Sequence, residues 1–372
     1  MSLRRRRPPE ERIREREARR VGGRDMTPAV GTRGEPAAWQ RAVEGARVAL
    51  FDAGFGDARW SYLYDKDTRY AAAAVAADGG GLAAARRGEQ VPEPVIGPIL
   101  HPNVWEWQVP VYFWVGGMAS GASFAALACD VAGDHRSAAI LRRVVLGTIG
   151  AGSPLLVLDL GRPERFLHML RIFKPRSPMS MGSWCLSAFS SLAGTAVAAD
   201  MVGRPRAARV LGAATALTGT YLGSYTGVLL ASTAVPVWNR SRAFLPPIFV
   251  CTALATGAAA SRLTLAAVGG GGATRAGLAA LETGAMSAEL ALSAINERRL
   301  GGLAEAVEGK LLRGAKAGVA LGLASRAVRR PAAGHVASAL FLAAGLAFRF
   351  AWVRAGRKSA LDHEAVAANA RR

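Results

Sequence analysis

The chain has 372 residues, of which 51% are hydrophobic, and it carries a formal net charge of +20 at pH 7. A bilayer core requires about 20 apolar residues per helix, and residues 107–129, 177–199 and 210–239 reach that length without a charged residue. This composition excludes a soluble multidomain protein. The basic residues are spread over the N-terminal segment and most loops, so they also exclude a compact nucleic-acid-binding domain.

The cysteines and histidines are too scattered to predict a resident redox centre. Cys129, Cys185 and Cys251 lie singly inside apolar stretches, whereas an iron–sulfur cluster requires about four thiolates. No two histidines have the spacing of ligands on one helix, and a haem between membrane helices requires an axial pair. The sequence therefore predicts no metal site, no haem and no iron–sulfur cluster in this chain.

The composition changes along the chain and divides it into four regions. Residues 1–38 are rich in Arg, Glu, Pro and Gly, which is typical of a mostly disordered basic extension. Residues 39–103 contain aromatic residues and glycine clusters but no long apolar run, so they are an extramembrane segment and a candidate partner-binding region. Residues 104–355 are the transmembrane domain, and residues 356–372 are the C-terminal tail.

The apolar stretches predict an all-α membrane protein with about eight transmembrane helices in two four-helix bundles. The predicted spans lie at about 107–130, 140–159, 181–202, 208–235, 244–267, 275–296, 314–329 and 332–353. An even number of spans places both termini on one side. The loops at 160–180, 236–243 and 297–316 are the more basic ones, so the positive-inside rule predicts that both termini are cytoplasmic.

The segment between the second and third spans is basic and contains three prolines. Residues 163–173 predict a short helix that is basic on one side and apolar on the other, which suits a membrane surface. Ser180 is the predicted N-cap of the helix that follows. The residues expected to contact a partner or the membrane surface are Arg162, Arg165, Arg171 and Lys174.

Four stretches of the membrane domain carry a family resemblance. They are DLGRPERFLHMLRIFKPRSPMSMGSW at 159–184, WEWQVPVYFWVGGMASGASF at 105–124, SYTGVLLASTAVPVW at 224–238, and AELALSAINERRLG at 288–301. Together they resemble the NrfD/PsrC family, the membrane subunits of polysulfide, nitrite and related molybdopterin or iron–sulfur reductases. The resemblance covers roughly residues 103–355.

The resemblance implies a subunit that binds quinone or quinol and exchanges electrons with a partner, with coupled proton transfer in a respiratory electron transport chain. Menaquinone or ubiquinone would be the substrate. The implied partners are a ferredoxin-like four-cluster iron–sulfur subunit and a molybdopterin or other catalytic subunit. Membrane lipid is a further expected partner, because basic residues beside membrane spans suit anionic lipid. The complex would be a polysulfide, nitrite or formate reductase or dehydrogenase in a bacterial plasma membrane. A secondary transporter and a purely structural membrane anchor are the alternatives.

Two residues are the candidates for proton transfer with a quinol. Asp159 closes the second predicted span, where it either forms an ion pair with Arg162 at the helix end or takes a proton from the quinol. His168 lies in the basic segment between the second and third spans. It either accepts a quinol proton near neutral pH or forms only a hydrogen bond at the interface.

The resemblance also implies a quinone pocket between the first and fourth spans. Tyr225 lies in the fourth span, and its buried phenol requires a partner such as a ligand carbonyl. Gly116 and Gly117 lie in the first span, where they allow either close helix packing or the close approach of a planar ring. Glu106 precedes that span and belongs either to the pocket or to an interfacial anchor.

Glu282 and Glu289 lie seven residues apart on the sixth predicted span, so both face the same side of one helix. Buried carboxylates at this spacing can form a proton path. They can equally form ion pairs with Arg262, Arg326 or Arg349 on neighbouring spans. We favour the ion pairs, because those arginines are available within the membrane domain.

Overall fold

The structure is a computed structural model, and the residues that it describes are residue 100 and residues 105–159, 168–328 and 330–370. The predictions for the N-terminal extension and for nearly all of the extramembrane segment lie outside these residues. The same holds for Arg162 and Arg165, two of the four residues expected to contact a partner or the membrane surface.

The described residues form helices and no strand. The long helices are α1 (Gln108–Val131), α2 (His135–Asp159), α3 (Pro178–Met201), α4 (Pro205–Ala231), α6 (Leu245–Ala267), α7 (Gly272–Leu300), α9 (Lys310–Ala327) and α10 (Pro331–Ala360). The short ones are α5 (Pro236–Arg240), α8 (Ala304–Val307) and α11 (His363–Ala370), with a 3₁₀ turn at Gly301–Leu303. Each long helix corresponds to one predicted span.

Five helical stretches are long and apolar enough to cross a membrane, namely α1, α2, α6, Gly272–Val307 and α10. The other three long helices do not meet that criterion. The sequences of α3 and α4 are rich in Gly, Ser and Thr, which lower hydropathy but let membrane helices approach closely. Helix α9 carries Lys310, Arg313 and Lys316. The all-helical membrane fold is therefore confirmed, whereas the number of eight spans stays a prediction.

The long helices pack as the two predicted bundles. In the first bundle, α1 contacts α2 and α4, and α3 contacts the same two helices. In the second bundle, α7 contacts α6 and α9, and α10 contacts the same two helices. Helix α6 joins the two bundles, because it also packs on α1 and α4. Connections of three or four residues reverse the chain after α1, α3, α6 and α9. The start of α1, the end of α2 and the start of α3 therefore lie at one end, the near face, and these four connections lie at the far face.

Close contact between the bundles depends on two glycines at the crossing of α1 and α6. A Cβ atom at Gly121 would overlap the carbonyl group of Ala253, and one at Gly257 would overlap the backbone at Ala122. The two backbones touch directly at this crossing, as expected where small residues replace hydrophobic contact in a bilayer. This tight crossing fixes the position of the first bundle relative to the second.

Helix α3 begins three residues earlier than predicted. Its N-cap is Ser177 rather than Ser180, because the Ser177 side chain accepts a hydrogen bond from the Ser180 backbone N–H at 3.4 Å. Pro178 then occupies the first helical position, which suits its fixed φ. The Ser180 hydroxyl instead fastens the preceding loop, donating to the carbonyl of Ile172 at 3.2 Å and accepting from the N–H of Lys174 at 3.0 Å.

Ionic contacts hold the helix ends together at the far face. Arg142 of α2 is 5% exposed and bonds Asp130 of α1 and Asp200 of α3, each at 2.6 Å. Asp134 accepts a hydrogen bond of 2.5 Å from Thr274 at the start of α7, which lowers the pKa of this carboxyl. The first contact unites three helices of the first bundle, and the second ties that bundle to the other.

Candidate functional site

A pocket of about 100 Å³ lies at the near face of the first bundle. Its walls come from the start of α1, the end of α2, the start of α3 and the last third of α4. Met169, in the segment between α2 and α3, also lines it. The polar side chains that line it are Tyr112, Asp159, Ser183 and Tyr225. The apolar lining includes Trp105, Phe113, Leu186 and Leu229. An apolar cavity with a few convergent polar groups is the usual form of a small-molecule site.

Tyr225 of α4, a residue selected from the sequence, is buried and lines the pocket. Its ring lies against the backbone of α3, where a Cβ atom at Gly182 would overlap the phenol ring and its oxygen. Only glycine at position 182 leaves room for the phenol in this place. Gly182 also lines the pocket. Nothing in the local sequence indicates its role, because that role arises from a contact with a residue 43 positions away.

Tyr112 of α1 supplies a second phenol, which is not among the residues selected from the sequence. It is buried and lines the pocket. Gly116 lies beside its ring, since a Cβ atom there would be 3.4 Å from the aromatic edge. Gly117 faces α6 instead, where a Cβ atom would lie 3.4 Å from that of Ala253. Neither of the two predicted glycines is among the pocket-lining residues; one borders Tyr112 and the other packs between the bundles.

Asp159 is the last residue of α2, and its half-buried side chain lines the pocket together with both tyrosines. The structure therefore brings the predicted acid and the predicted phenol of Tyr225 into one cavity. The alternative, an ion pair with Arg162, concerns a residue outside the described part of the chain, and it stays a prediction.

The other two residues selected near this pocket lie at its edge. His168 is exposed and is not among the pocket-lining residues, although the next residue, Met169, is. Glu106 is half-buried, and its carboxylate accepts a hydrogen bond from the Gln108 side-chain amide at 3.4 Å. Its neighbour Trp105 lines the pocket. Both ionisable groups are thus next to the cavity rather than inside it.

Glu282 of α7 has the ion-pair partners that we favoured from the sequence. It is fully buried and forms an ion pair with Arg326 of α9. Arg262 of α6 lies 3.8 Å from the same carboxylate oxygen, and Ser338 of α10 donates a hydrogen bond to it at 3.0 Å. One carboxylate therefore holds all four helices of the second bundle together.

Glu289 has a different environment one heptad further along α7. It is 4% exposed and accepts a hydrogen bond from the Ser293 hydroxyl at 2.8 Å, and among the described residues no cation lies within ion-pair distance of it. Arg349 is 1% exposed and instead donates to the carbonyl of Phe249 at 3.1 Å, with its guanidinium 3.7 Å from the Phe249 ring centroid. The two acids thus share a helix face but not a role in packing.

No cluster of three or more metal-ligating side chains occurs in the part of the chain that the structure describes. The three cysteines there are free. The expectation that this chain carries no haem or iron–sulfur cluster stays a prediction, which absorption spectra of the purified subunit would test.

Gly182→Ala is expected to disturb the pocket, whereas the other glycine of α3, Gly194, has room for a methyl group. The new methyl would overlap the ring of Tyr225, so the ring must leave the pocket or the helices must separate. Overpacking of this kind typically costs about 1–3 kcal/mol. The measurement is the thermal unfolding midpoint of the solubilised protein. Gly150→Ala is the control, because no atom lies within 4 Å of a Cβ atom there, and an equal midpoint for both variants would contradict the close contact.

Taken together, the fold and the site define a multi-pass helical membrane protein with a carboxylate and two phenols in one apolar pocket. Residues 99–295 match the family described as "Polysulphide reductase, NrfD", and the chain belongs to this family. It is similar to the C subunit of the polysulfide reductase of Wolinella succinogenes, with 28% identity over 183 residues. That alignment covers 41% of this chain and 56% of the relative, so the similarity spans little more than half of the relative's length. The resemblance seen in the sequence is confirmed.

Proposed function

We propose that this chain is the quinone-reactive membrane subunit of a bacterial multisubunit oxidoreductase in a respiratory electron transport chain. The observation that carries the proposal is the meeting of Asp159, Tyr112 and Tyr225 in one apolar pocket at the near face. Membership in the NrfD family and the similarity to a polysulfide reductase subunit support it. The substrate would be menaquinol or ubiquinol.

The pocket suits both the shape and the chemistry of such a ring. Its apolar and aromatic walls fit a planar ring, and its three acidic or phenolic groups can bond the two ring oxygens. Oxidation of a quinol to a quinone releases two protons and two electrons. The Asp159 carboxylate would accept a proton from a quinol hydroxyl as the carbonyl forms. The phenols of Tyr112 and Tyr225 would donate hydrogen bonds to the ring oxygens and fix the ring's orientation.

The two electrons would leave to a partner subunit, since no redox centre is expected in this chain. We propose a ferredoxin-like iron–sulfur subunit for that role and a molybdopterin or other catalytic subunit beyond it. His168 would be an exposed second proton acceptor beside the pocket. The complex would lie in the plasma membrane with both termini of this chain in the cytoplasm.

Protons would also pass through the second bundle, and there Glu289 is a better candidate than Glu282. Glu282 is held by Arg326 and Arg262, and a carboxylate in such contacts gives up its charge only at a large cost. Glu289 accepts a hydrogen bond from Ser293 alone among the described side chains. It also lines a cavity of about 10 Å³, close to the size required by one water molecule.

Quinol-dependent reduction of the iron–sulfur subunit in the purified complex tests the proposal. If the chain is the quinone-reactive subunit, menaquinol or ubiquinol should reduce the partner's iron–sulfur clusters. Electron paramagnetic resonance measures that reduction. A purely structural anchor predicts no reduction by either quinol, although an artificial donor would still act. A secondary transporter predicts that the chain purifies without redox partners.

Tyr225→Phe is expected to slow quinol oxidation about 2- to 10-fold, because one neutral hydrogen bond contributes roughly 0.5–1.5 kcal/mol. Tyr221→Phe is the matched control. Tyr221 lies one turn earlier on α4, with its ring centroid 5.9 Å from that of Tyr225, and it is not among the pocket-lining residues. Equal rates for the two variants would remove Tyr225 from the site.

A further inference from the structure

The described part of the loop between α2 and α3, residues 168–177, concentrates positive charge at the near face. Arg171, Lys174 and Arg176 are exposed within six residues of one another. No acidic residue occurs in this stretch or in α3 before Asp200. We call this stretch the basic loop. The whole segment from Asp159 to Ser177 has five basic residues against Asp159 and Glu164, so it keeps a net positive charge. A ligand that binds there should therefore be anionic.

The basic loop also exposes large apolar side chains. Ile172 and Phe173 are 61% and 56% exposed. The Phe173 ring meets the ring of Trp184 on α3 edge to face, with 6.0 Å between centroids, and Trp184 is itself 39% exposed. Large apolar side chains that are exposed together beside charged residues are typical of a binding surface.

The loop presents this surface in a fixed conformation. The Ser180 hydroxyl bonds the backbone of both Ile172 and Lys174, so the loop is fastened to the first turn of α3. Pro175 and Pro178 restrict the backbone on either side of Ser177. The aromatic and basic side chains are thus displayed side by side on an anchored turn.

The orientation of α3 indicates that the occupant is lipid. Among the described helices, α3 packs mainly on α2 and α4, so the side that carries the exposed Trp184 is turned away from the bundle. Trp184 is the seventh residue of α3, which places it roughly 9 Å from the helix start at a rise of 1.5 Å per residue. In a helix that enters the bilayer near its first residue, this distance corresponds to the zone just inside the headgroups, where tryptophan is enriched.

We propose that the basic loop and Trp184 form a binding site for an anionic phospholipid. Arg171, Lys174 and Arg176 bind the phosphate and headgroup, and the acyl chains pack along Phe173 and Trp184. Basic residues beside a membrane span bind anionic lipid by the same electrostatic attraction. The site borders the near-face pocket, because Met169 and Met179, in the loop and just after it, both line that cavity. A bound lipid would therefore stabilise one wall of the pocket.

The test measures lipid binding to the purified complex by native mass spectrometry, with phosphatidylglycerol and phosphatidylcholine added in turn. The test variant replaces the three basic residues of the loop: Arg171→Gln, Lys174→Gln and Arg176→Gln. The control variant removes three exposed arginines towards the far face: Arg136→Gln, Arg143→Gln and Arg206→Gln. The wild type and the control should prefer phosphatidylglycerol, and the test variant should lose at least about tenfold in affinity for it, since three attractive charges are removed.

Retention of phosphatidylglycerol by the test variant would overturn the proposal. So would unchanged lipid binding accompanied by loss of the iron–sulfur subunit, because the loop would then bind a protein partner. A second variant, Phe173→Ser, tests the acyl-chain contact. This variant should bind long-chain phosphatidylglycerol more weakly and bind an analogue with six-carbon chains as the wild type does. Any other pattern would refute the proposed contact between Phe173 and the acyl chains. These measurements of lipid binding do not depend on quinol oxidation. A failure of the lipid proposal can therefore be distinguished from a failure of the proposed function.

Discussion

Asp159→Asn is expected to lower quinol-dependent turnover of the assembled complex by about 10²–10⁴-fold, the usual effect of losing a positioned general base. Asparagine keeps the shape of the side chain and its capacity for hydrogen bonds, but it cannot accept the quinol proton. The fold should survive, because Asp159 is the last residue of α2 and is only half-buried. Membrane insertion and copurification of partners should therefore be normal.

The measurement is the turnover number with quinol as donor, normalised to the copurified iron–sulfur subunit. Glu308→Gln is the control, since Glu308 is an exposed carboxylate between α8 and α9 that does not line the pocket. A loss of less than tenfold in Asp159→Asn would return Asp159 to the alternative interpretation, a helix-end ion pair with Arg162. Such a pair near a hydrated surface contributes only about 0–1 kcal/mol.

The sequence predicted the helices well because the length of an apolar stretch is set by the thickness of a bilayer. The helix ends were less predictable. Helix α7 runs from Gly272 to Leu300 and α10 continues to Ala360, beyond the predicted limits of 275–296 and 353. Hydropathy detects only the part of a helix that lies in lipid, and polar turns outside the bilayer do not register. The N-cap of α3 was misplaced for a different reason. Ser177 and Ser180 both precede apolar residues, so the sequence does not show which of them caps the helix.

The structure places some of the residues selected from the sequence in the pocket and not others, and the reason differs from residue to residue. Asp159 and Tyr225 stand out in the sequence because polar groups in or beside a bilayer cost free energy. They are therefore expected to have a partner or a function. Tyr112 carries the same chemistry but lies among several aromatic residues near the start of α1, so the sequence alone does not single it out. Gly182 acquires its role from the ring that packs on it.

The far-face contacts illustrate the same limit. Asp130, Arg142 and Asp200 each resemble an ordinary charge near the end of a span. Only the packing of α1, α2 and α3 brings them within hydrogen-bond distance. Pairwise contacts between distant residues are not encoded in local hydropathy or in local charge spacing.

Glu282→Gln is expected to destabilise the second bundle by about 3–5 kcal/mol, the usual effect of removing one partner of a buried ion pair. The carboxylate is fully buried and faces the guanidinium groups of Arg326 and Arg262. Glutamine would leave both cations in the bundle interior without a counter-charge. The expected results are a lower yield of assembled protein in the membrane and a lower unfolding midpoint after solubilisation.

Glu289→Gln is the matched control, since it makes the same chemical change one heptad away on the same face of α7. The Ser293 hydroxyl can still donate a hydrogen bond to the glutamine carbonyl oxygen, and among the described residues no ion pair is lost. Assembly and unfolding midpoint should therefore stay close to those of the wild type, while quinol-dependent turnover falls if Glu289 carries protons. If both variants assembled normally, the ion pairs of Glu282 would contribute little to the bundle, and Glu282 would return to the proton path as a candidate equal to Glu289.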